Sequence, residues 1–144
     1  MAKNTKQKAA EVFLAALPHA KDLGLSLSRV GDGEAVVEMP YHPGLVGDPS
    51  TGVLHGGAVS ALIDTACGAA VLNHPENGGD TATLNLRIDY MRAAKPGAAV
   101  RAAAHCFHVT PTVAFVRAEA LDDDPDHPVA TAAAAFTFKR RSQE

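Results

Sequence analysis

The chain has 144 residues, a length typical of a single domain. Apolar residues make up 47% and charged residues 20% of it, a balance that excludes a disordered or low-complexity protein. Thirteen Lys and Arg residues against sixteen Asp and Glu residues give a net charge of −3, which argues against a nucleic-acid partner. We therefore expect one globular domain that spans residues 1–144.

No segment of the sequence is typical of a secretory signal or a membrane span. The lysines among the first eight residues are not followed by the apolar run of a signal peptide. The most apolar stretch, residues 53–72, contains His55 and Asp64 and is too polar at its centre to cross a bilayer. Cys67 and Cys106 form no Cys-x-x-Cys pair, so we expect reduced thiols and a cytoplasmic location without a membrane partner.

The first third of the chain predicts a helix, a hairpin and a loop. Apolar residues recur at helical spacing near the N-terminus, and Gly31-Asp32-Gly33 is a turn signal between two short segments of strand character. The segment after the hairpin has three prolines and three glycines, which is typical of a loop. The predicted elements are a helix within residues 1–20 that Pro18 ends, strands at 23–30 and 35–39, and a loop at 40–52.

The remaining sequence predicts one long helix followed by four strands. The helix is predicted at residues 53–73, because an apolar residue recurs at every third or fourth position. Alanine runs in the segments beyond it favour helix by propensity, but their short length and flanking turns favour strands. Strands are predicted at 82–91, 98–109, 113–121 and 129–139. The fold class is therefore α+β, with one long helix packed on an antiparallel sheet.

The start of the long helix carries the first candidate site. Gly56 and Gly57 stand in its first turn, although glycine costs about 1 kcal/mol relative to alanine in a helix. The first turn has free N–H groups at the positive end of the helix dipole, and such a group can stabilise an oxyanion. Two interpretations remain open, a donor site at Gly56 or a tight turn that needs glycine.

Asp64 is the second candidate, because it is a carboxylate on an otherwise apolar helix. Its neighbours on the same helix face are small, namely Gly57, Ala61 and Gly68. An exposed Asp on a polar face is one interpretation. However, a helix that is apolar all round is buried on several sides, and a buried unpaired carboxylate is usually functional. We therefore expect Asp64 to be buried and to have a chemical role.

The two candidates cannot easily serve one site within a single chain. Nine residues at about 100° each place His55 and Asp64 on opposite sides of the helix, separated by about 13.5 Å along its axis. Two chains related by a two-fold axis can bring the helix start of one to the Asp64 of the other. This geometry predicts a homodimer with two shared sites.

The run Gly52-x-x-His55-Gly56-Gly57, followed by Asp64 and Gly68, resembles the hotdog-fold acyl-CoA thioesterases of the phenylacetate-degradation type. These belong to the 4-hydroxybenzoyl-CoA thioesterase-like superfamily. The resemblance extends through residues 83–92 to the final predicted strand. It implies a hotdog fold, an antiparallel sheet wrapped around one long central helix, and hydrolysis of an acyl- or aryl-acyl-CoA thioester. It also implies homodimers, often paired into homotetramers.

The resemblance implies roles for individual positions. Asp64 matches the general base or nucleophile, Gly56 the backbone donor to the thioester oxygen, His55 a residue that shapes the helix start, and Thr83 a hydroxyl beside the acid. We add Gly57, Pro49 and Ser50 as substrate-binding candidates. The chain departs from the family in two places: Pro49 stands where many members have Asn or Gln, and Thr110-Pro111-Thr112 replaces a glycine followed by a basic residue.

The chemistry expected from these groups needs neither a metal nor an organic cofactor. Polarisation of the carbonyl by an N–H, with attack by an activated water or by a carboxylate, uses protein groups alone. His105 and His108 are three apart on a predicted strand, so we expect them on opposite faces and unable to chelate together. Cys67 is not expected to act as a nucleophile.

Two other functions remain possible at this stage. A hotdog hydratase or dehydratase would need a histidine with an acid about fourteen residues later, and His42 has Gly56 at that offset. A non-catalytic acyl-CoA-binding hotdog module is the other alternative, although a carboxylate such as Asp64 would serve no purpose in it. Release of free thiol from acyl-CoA esters distinguishes the three.

Overall fold

The computed structural model describes residues 2–142, with side chains from residue 5 onward. Met1 and residues 143–144, which belong to the predicted range 1–144, lie outside the described residues. The helices are α1 Ala2–Ala15, α2 Pro18–Asp22 and α3 Gly56–Leu72, with one 3-10 turn at Pro43–Leu45. The strands are β1 Ser26–Gly31, β2 Glu34–Met39, β3 Val46–Asp48, β4 Val53–Leu54, β5 Thr83–Tyr90, β6 Val100–Val109, β7 Val113–Leu121 and β8 Ala130–Thr137.

Six strands form one antiparallel sheet in the order β1-β2-β6-β7-β8-β5. The strand that follows the long helix, β5, therefore lies at one edge, and its only strand neighbour in the described chain is β8. The two short strands β3 and β4 form a separate hairpin immediately before α3. This order places the start of α3 near the β3–β4 hairpin, while α3 itself crosses the sheet.

The central helix α3 is buried because it packs on β2, β6 and β7. Apolar residues on several sides of the helix are buried, among them Leu62, Ile63 and Val71 at 0% exposure. The facing strands carry alanines such as Ala102 and Ala114, whose small side chains let the helix lie close to the sheet. The alanine runs are strands because this packing outweighs their helix propensity.

The structure confirms the predicted α+β fold class and the four strands after the helix. Two local features differ from the predictions. The first helix ends at Ala15, ahead of Pro18, and Pro18 itself begins α2, since proline suits the first turn of a helix, where its missing N–H has no partner. The long helix begins at Gly56 rather than at Val53, because Val53–Leu54 pair with β3 across the predicted loop.

The relation between His105 and His108 also differs from the prediction. A bulge between Cys106 and His108 pairs His105 with Arg117 and His108 with Phe115. Arg117 and Phe115 are two residues apart on β7 and share one face, so the two histidines share that face as well. Among the described residues, no group of three or more His, Cys, Asp or Glu side chains is arranged to hold a metal ion.

Candidate active site

His55 caps the start of α3 with its own side chain. Its Nδ1 accepts a hydrogen bond of 2.8 Å from the Gly57 N–H, so a neutral ring carries its proton on Nε2. The His55 backbone N–H donates to the Leu45 carbonyl at 2.8 Å, which fixes the helix start to the preceding loop. The Gly56 N–H has no hydrogen-bond partner within the part of the chain that the structure describes.

Three glycines lie near this cap, and they differ in whether the surrounding atoms leave room for a side chain. A Cβ on Gly57 would lie 2.9 Å from the His55 Nδ1, so glycine there keeps room for the cap. A Cβ on Gly47 would lie 2.8 Å from the His55 Cα, so only glycine allows the backbone at position 47 to lie this close to the backbone of His55. A Cβ on Gly56 would meet only the Tyr90 ring at an ordinary 3.6 Å. The packing of the chain therefore explains Gly57 and leaves Gly56 open to an approaching group.

Two further side chains hold the first turn of α3, and neither stands out in the sequence as a candidate. The Tyr90 hydroxyl donates to the Gly56 carbonyl at 2.8 Å. The Ser60 hydroxyl lies 3.1 Å from the same oxygen and also contacts the Tyr90 hydroxyl, to which it can donate its single proton. The end of β5 is thereby tied to the helix start, which orients the Gly56 peptide.

Asp64 lies in the middle of α3 and accepts a hydrogen bond from Thr83. The Thr83 Oγ1 donates to the Asp64 Oδ1 at 2.7 Å, across the gap between α3 and the start of β5. Asp64 is half-buried, so the expectation of a buried and unpaired carboxylate is wrong. β5 runs along one side of the helix and leaves part of the carboxylate accessible.

Asp64 and Thr83 line a cavity of about 360 Å³, which we call the acid cavity. Apolar side chains such as Phe13 and Phe136 form much of its wall, and Asp80, an exposed carboxylate that the sequence analysis did not single out, also lines it. A largely apolar cavity with a few polar groups is typical of a small-molecule site.

His55 and Gly57 line a different cavity, of about 280 Å³, which we call the helix-start cavity. Its other walls come from the 3-10 turn, from α2 and from the first turns of α3, and Asp64 is not part of it. Within one chain, the helix start and the carboxylate therefore face two separate spaces. This agrees with the opposite helix faces expected from their nine-residue separation.

Pro49 and Ser50 lie outside both cavities. They are exposed in the turn before β4, where the Ser50 N–H and hydroxyl donate to the Asp48 Oδ1 at 2.9 Å and 2.6 Å. These bonds, above all that from the Ser50 side chain, lower the pKa of Asp48. The Tyr41 hydroxyl donates to the Gly52 carbonyl at 2.7 Å and holds the far end of the turn. The structure does not bring Pro49 or Ser50 to Asp64 of the same chain.

The two cysteines are poor nucleophiles in this environment. Burial raises the pKa of the Cys67 thiol to about 12 and that of the Cys106 thiol to about 11. Thiolate is the reactive form, so both side chains act as small apolar core residues.

Of the helices that the structure describes, none combines the length and the apolar character needed to cross a bilayer.

Comparison with known proteins places this geometry in a family. The family model described as "Thioesterase superfamily" matches residues 51–129, a segment that contains the helix start, Asp64 and Thr83. A candidate esterase of Halobacterium salinarum is 40% identical over 77 residues, which cover 51% of this chain and 50% of that protein. The chain thus spans half the length of this relative. The medium/long-chain acyl-CoA thioesterase YigI of Salmonella typhimurium is 26% identical over 139 residues, 88% of each chain.

Solved structures agree with the fold. A crystal structure of a Pseudomonas aeruginosa protein is 39% identical, with a TM-score of 0.80 over 92% of this chain and 98% of that one. A single-residue variant of the phenylacetic acid degradation protein PaaI from Thermus thermophilus is 29% identical, with a TM-score of 0.74 over 85% and 99% of the two chains. Because the family model matches more than half of the residues, the chain belongs to the thioesterase superfamily and has its hotdog fold.

Proposed function

We propose that the protein hydrolyses an acyl- or aryl-acyl-CoA thioester to the free acid and CoA. The observation that carries the proposal is the half-buried Asp64 carboxylate, held by Thr83 at the wall of a largely apolar cavity. A carboxylate in such a place can activate water or attack an electrophile. The name of the relative YigI, an acyl-CoA thioesterase, supports the same substrate class.

The proposed reaction uses two groups of the chain. The Gly56 N–H donates to the thioester oxygen and stabilises the oxyanion as it forms. In the general-base route, Asp64 takes a proton from water while the water oxygen bonds to the carbonyl carbon; the carbon–sulfur bond then breaks and the CoA thiolate takes up the proton. In the nucleophilic route, Asp64 bonds to the carbonyl carbon and expels the thiolate, and water hydrolyses the resulting anhydride.

We propose that each site is shared by two copies of the chain. Asp64 and the helix start line separate cavities within one chain, so a second copy must supply the missing half. The edge strand β5 offers a surface for this second copy, because edge strands present unpaired backbone groups. Leu84, Tyr90 and Met91, in and just after β5, are 50% or more exposed. A homodimer formed along β5, with two such dimers able to pair into a homotetramer, would cover this surface.

The remaining assignments follow from position. Gly57, the next residue after Gly56, lines the helix-start cavity, while Pro49 and Ser50 lie in the exposed turn before β4, where they can contact the CoA moiety. No cofactor is assigned. Two reduced and buried cysteines support a cytoplasmic location for the enzyme, where thiols stay reduced.

The test is release of free thiol from a panel of acyl-CoA esters, with the wild type and Asp64→Asn. The substitution keeps the shape of the side chain and removes its basicity, so kcat should fall by about 10²–10⁴-fold while KM changes much less. A variant that retains a tenth of the wild-type kcat would exclude Asp64 from the mechanism. No thiol release by the wild type, with acyl-CoA still bound, would indicate the binding module instead.

Asp80→Asn is the matched control for charge. It removes the other carboxylate of the acid cavity, which makes no hydrogen bond to Thr83. A smaller loss of kcat than in Asp64→Asn is expected. A larger loss would move the proposed role from Asp64 to Asp80.

A further inference from the structure

A third, more apolar cavity lies between the N-terminal helix and the central helix. Its volume is about 200 Å³, and we call it the tail cavity. Ala10 and Leu14 of α1, Leu27 of β1 and Ala69 of α3 line it. Thr65 and Asn73 are the polar residues in its wall, and no charged side chain of the described residues lines it.

The tail cavity adjoins the acid cavity. Phe13, Thr65, Ala69 and Leu72 line both, so these four side chains stand at the junction between the two spaces. Phe13 is 45% exposed, although it is a large apolar residue. An aromatic side chain that lines two cavities and is not packed into the core is suited to contact a ligand.

We propose that the tail cavity holds the distal end of a flexible acyl chain whose thioester group lies at Asp64, so that α1 determines which chain lengths are accepted. This inference rests on the proposed thioesterase function and adds the substrate class, a straight-chain acyl group of medium length. The acid cavity holds the proximal carbons, and the chain passes Phe13 into the tail cavity.

The dimensions support a medium chain. Asp64 and Leu72 are eight residues apart on α3, which corresponds to about 12 Å along the helix axis. An extended chain with bonds of about 1.5 Å covers that distance with about eight to ten carbons. An apolar cavity of about 150 Å³ accommodates one benzene ring, so the tail cavity has room for about six of these carbons. An aryl group attached directly to the thioester would remain in the acid cavity.

This arrangement predicts a steep dependence on chain length. Each methylene that leaves water for an apolar wall should raise kcat/KM by about fourfold, until the tail cavity is full. We expect kcat/KM to rise from butyryl-CoA to decanoyl-CoA.

The test replaces the small residue at the far wall. Ala10 lines the tail cavity and is absent from the walls of the acid cavity, so Ala10→Phe should fill the space that the distal carbons need. The ratio of kcat/KM for decanoyl-CoA to that for butyryl-CoA should fall by at least tenfold. Ala15→Phe is the matched control, because Ala15 is exposed at the end of the same helix and lines neither cavity. An unchanged ratio in Ala10→Phe, or an equal fall in Ala15→Phe, would overturn the inference.

A second measurement does not depend on turnover. In Ala10→Cys, the introduced thiol can be alkylated selectively, because burial raises the pKa of the two native thiols. Saturating S-decyl-CoA, a thioether that cannot be hydrolysed, should slow alkylation at least fivefold, whereas S-butyl-CoA should not. Equal rates with both compounds would overturn the tail cavity as the acyl site. Protection by S-decyl-CoA in a protein without thioesterase activity would uphold the acyl site and refute the proposed function alone.

Discussion

Thr83 is the residue whose contribution to the site can be tested most directly. Its hydroxyl makes the hydrogen bond to Asp64 in the described structure, and it comes from β5, an element separate from the helix that carries the acid. A carboxylate that is half-exposed can adopt several rotamers. The bond from Thr83 selects one of them, so we propose that Thr83 positions Asp64 for the reaction.

We expect Thr83→Ala to lower kcat by about tenfold, because loss of orientation at a reacting group costs rate even when the group itself is retained. Thr83→Ser keeps the hydroxyl and should retain most of the wild-type kcat. Steady-state kinetics with one acyl-CoA ester measures both variants, and KM should change little. Equal kcat values for the alanine and serine variants would show that the hydroxyl has no part in the reaction.

The sequence singles out those candidate residues that break a local rule. Gly56 and Gly57 are unfavourable in a helix, and Asp64 is a charge on an apolar one, so each was visible without a structure. Ser60 and Tyr90 break no rule, since serine and tyrosine are ordinary on a helix and a strand. Only the packing of β5 against the first turn of α3 brings them to the Gly56 carbonyl.

At the scale of elements, an ion pair between a partly exposed arginine and a buried carboxylate connects the segments that follow β5 and β7. Asp122 is 1% exposed and accepts hydrogen bonds of 2.7 Å and 2.6 Å from the Arg92 guanidinium. The Lys95 and Asp124 N–H groups each donate to the same carboxylate at 3.0 Å. The bond from Arg92 is the largest of the causes that hold the pKa of Asp122 far below its ordinary value.

Because of this lowered pKa, the free energy of unfolding decreases as the pH falls. A carboxyl whose pKa is lower in the folded state stabilises the fold above its unfolded pKa, which is about 3.9 for Asp, and the stabilisation is lost as the pH falls below that range. Asp122→Asn should reduce the free energy of unfolding by about 2–3 kcal/mol at pH 7, because it leaves the Arg92 charge without its partner. The difference from the wild type should shrink from about pH 5 downward.

Urea unfolding at a series of pH values measures this difference. Asp123→Asn is the matched control, since Asp123 is the next residue and pairs with Lys95 on the surface, where ion pairs contribute little. The lowered pKa of Asp48, which arises from Ser50 and Thr51, adds to the acid sensitivity of the wild type and of Asp122→Asn alike and cancels in the comparison. A constant difference between pH 7 and pH 3 would refute the role of Asp122 ionisation.

The elements themselves were predictable to different degrees. The strands after the long helix were found because period two survives in them, and β7 was located at its observed bounds. The β3–β4 hairpin was missed, because strands of three and two residues are too short to show a period. Because this hairpin is not predicted, the predicted helix begins at Val53. The observed helix begins at Gly56, and His55 is its N-terminal cap.

At the scale of the whole molecule, the proposed shared site can be tested with variants at the start of α3. Gly56 is the first residue of α3, where proline is tolerated because that N–H makes no bond within the helix. His55 has φ −63° and ψ 136°, a conformation that the residue before a proline prefers. Gly56→Pro therefore removes the proposed donor and keeps the helix, while Gly56→Ala retains the N–H and controls for the added Cβ.

We expect two inactive variants, Asp64→Asn and Gly56→Pro, to restore activity when their subunits are mixed. Random reassortment at equal amounts makes about half of the dimers mixed, and two-fold symmetry gives each mixed dimer one site with both lesions and one with neither. Recovered activity should therefore approach about 25% of the wild type. Native mass spectrometry confirms that mixed dimers form. In the control, Gly56→Ala subunits are mixed with Asp64→Asn subunits, which shows the activity expected when the N–H at position 56 is retained in every chain. If each site lay within one chain, every site in the mixed Gly56→Pro sample would carry one lesion. Mixed dimers without recovered activity would thus place the helix start and Asp64 of one chain at the same site and reject the shared site.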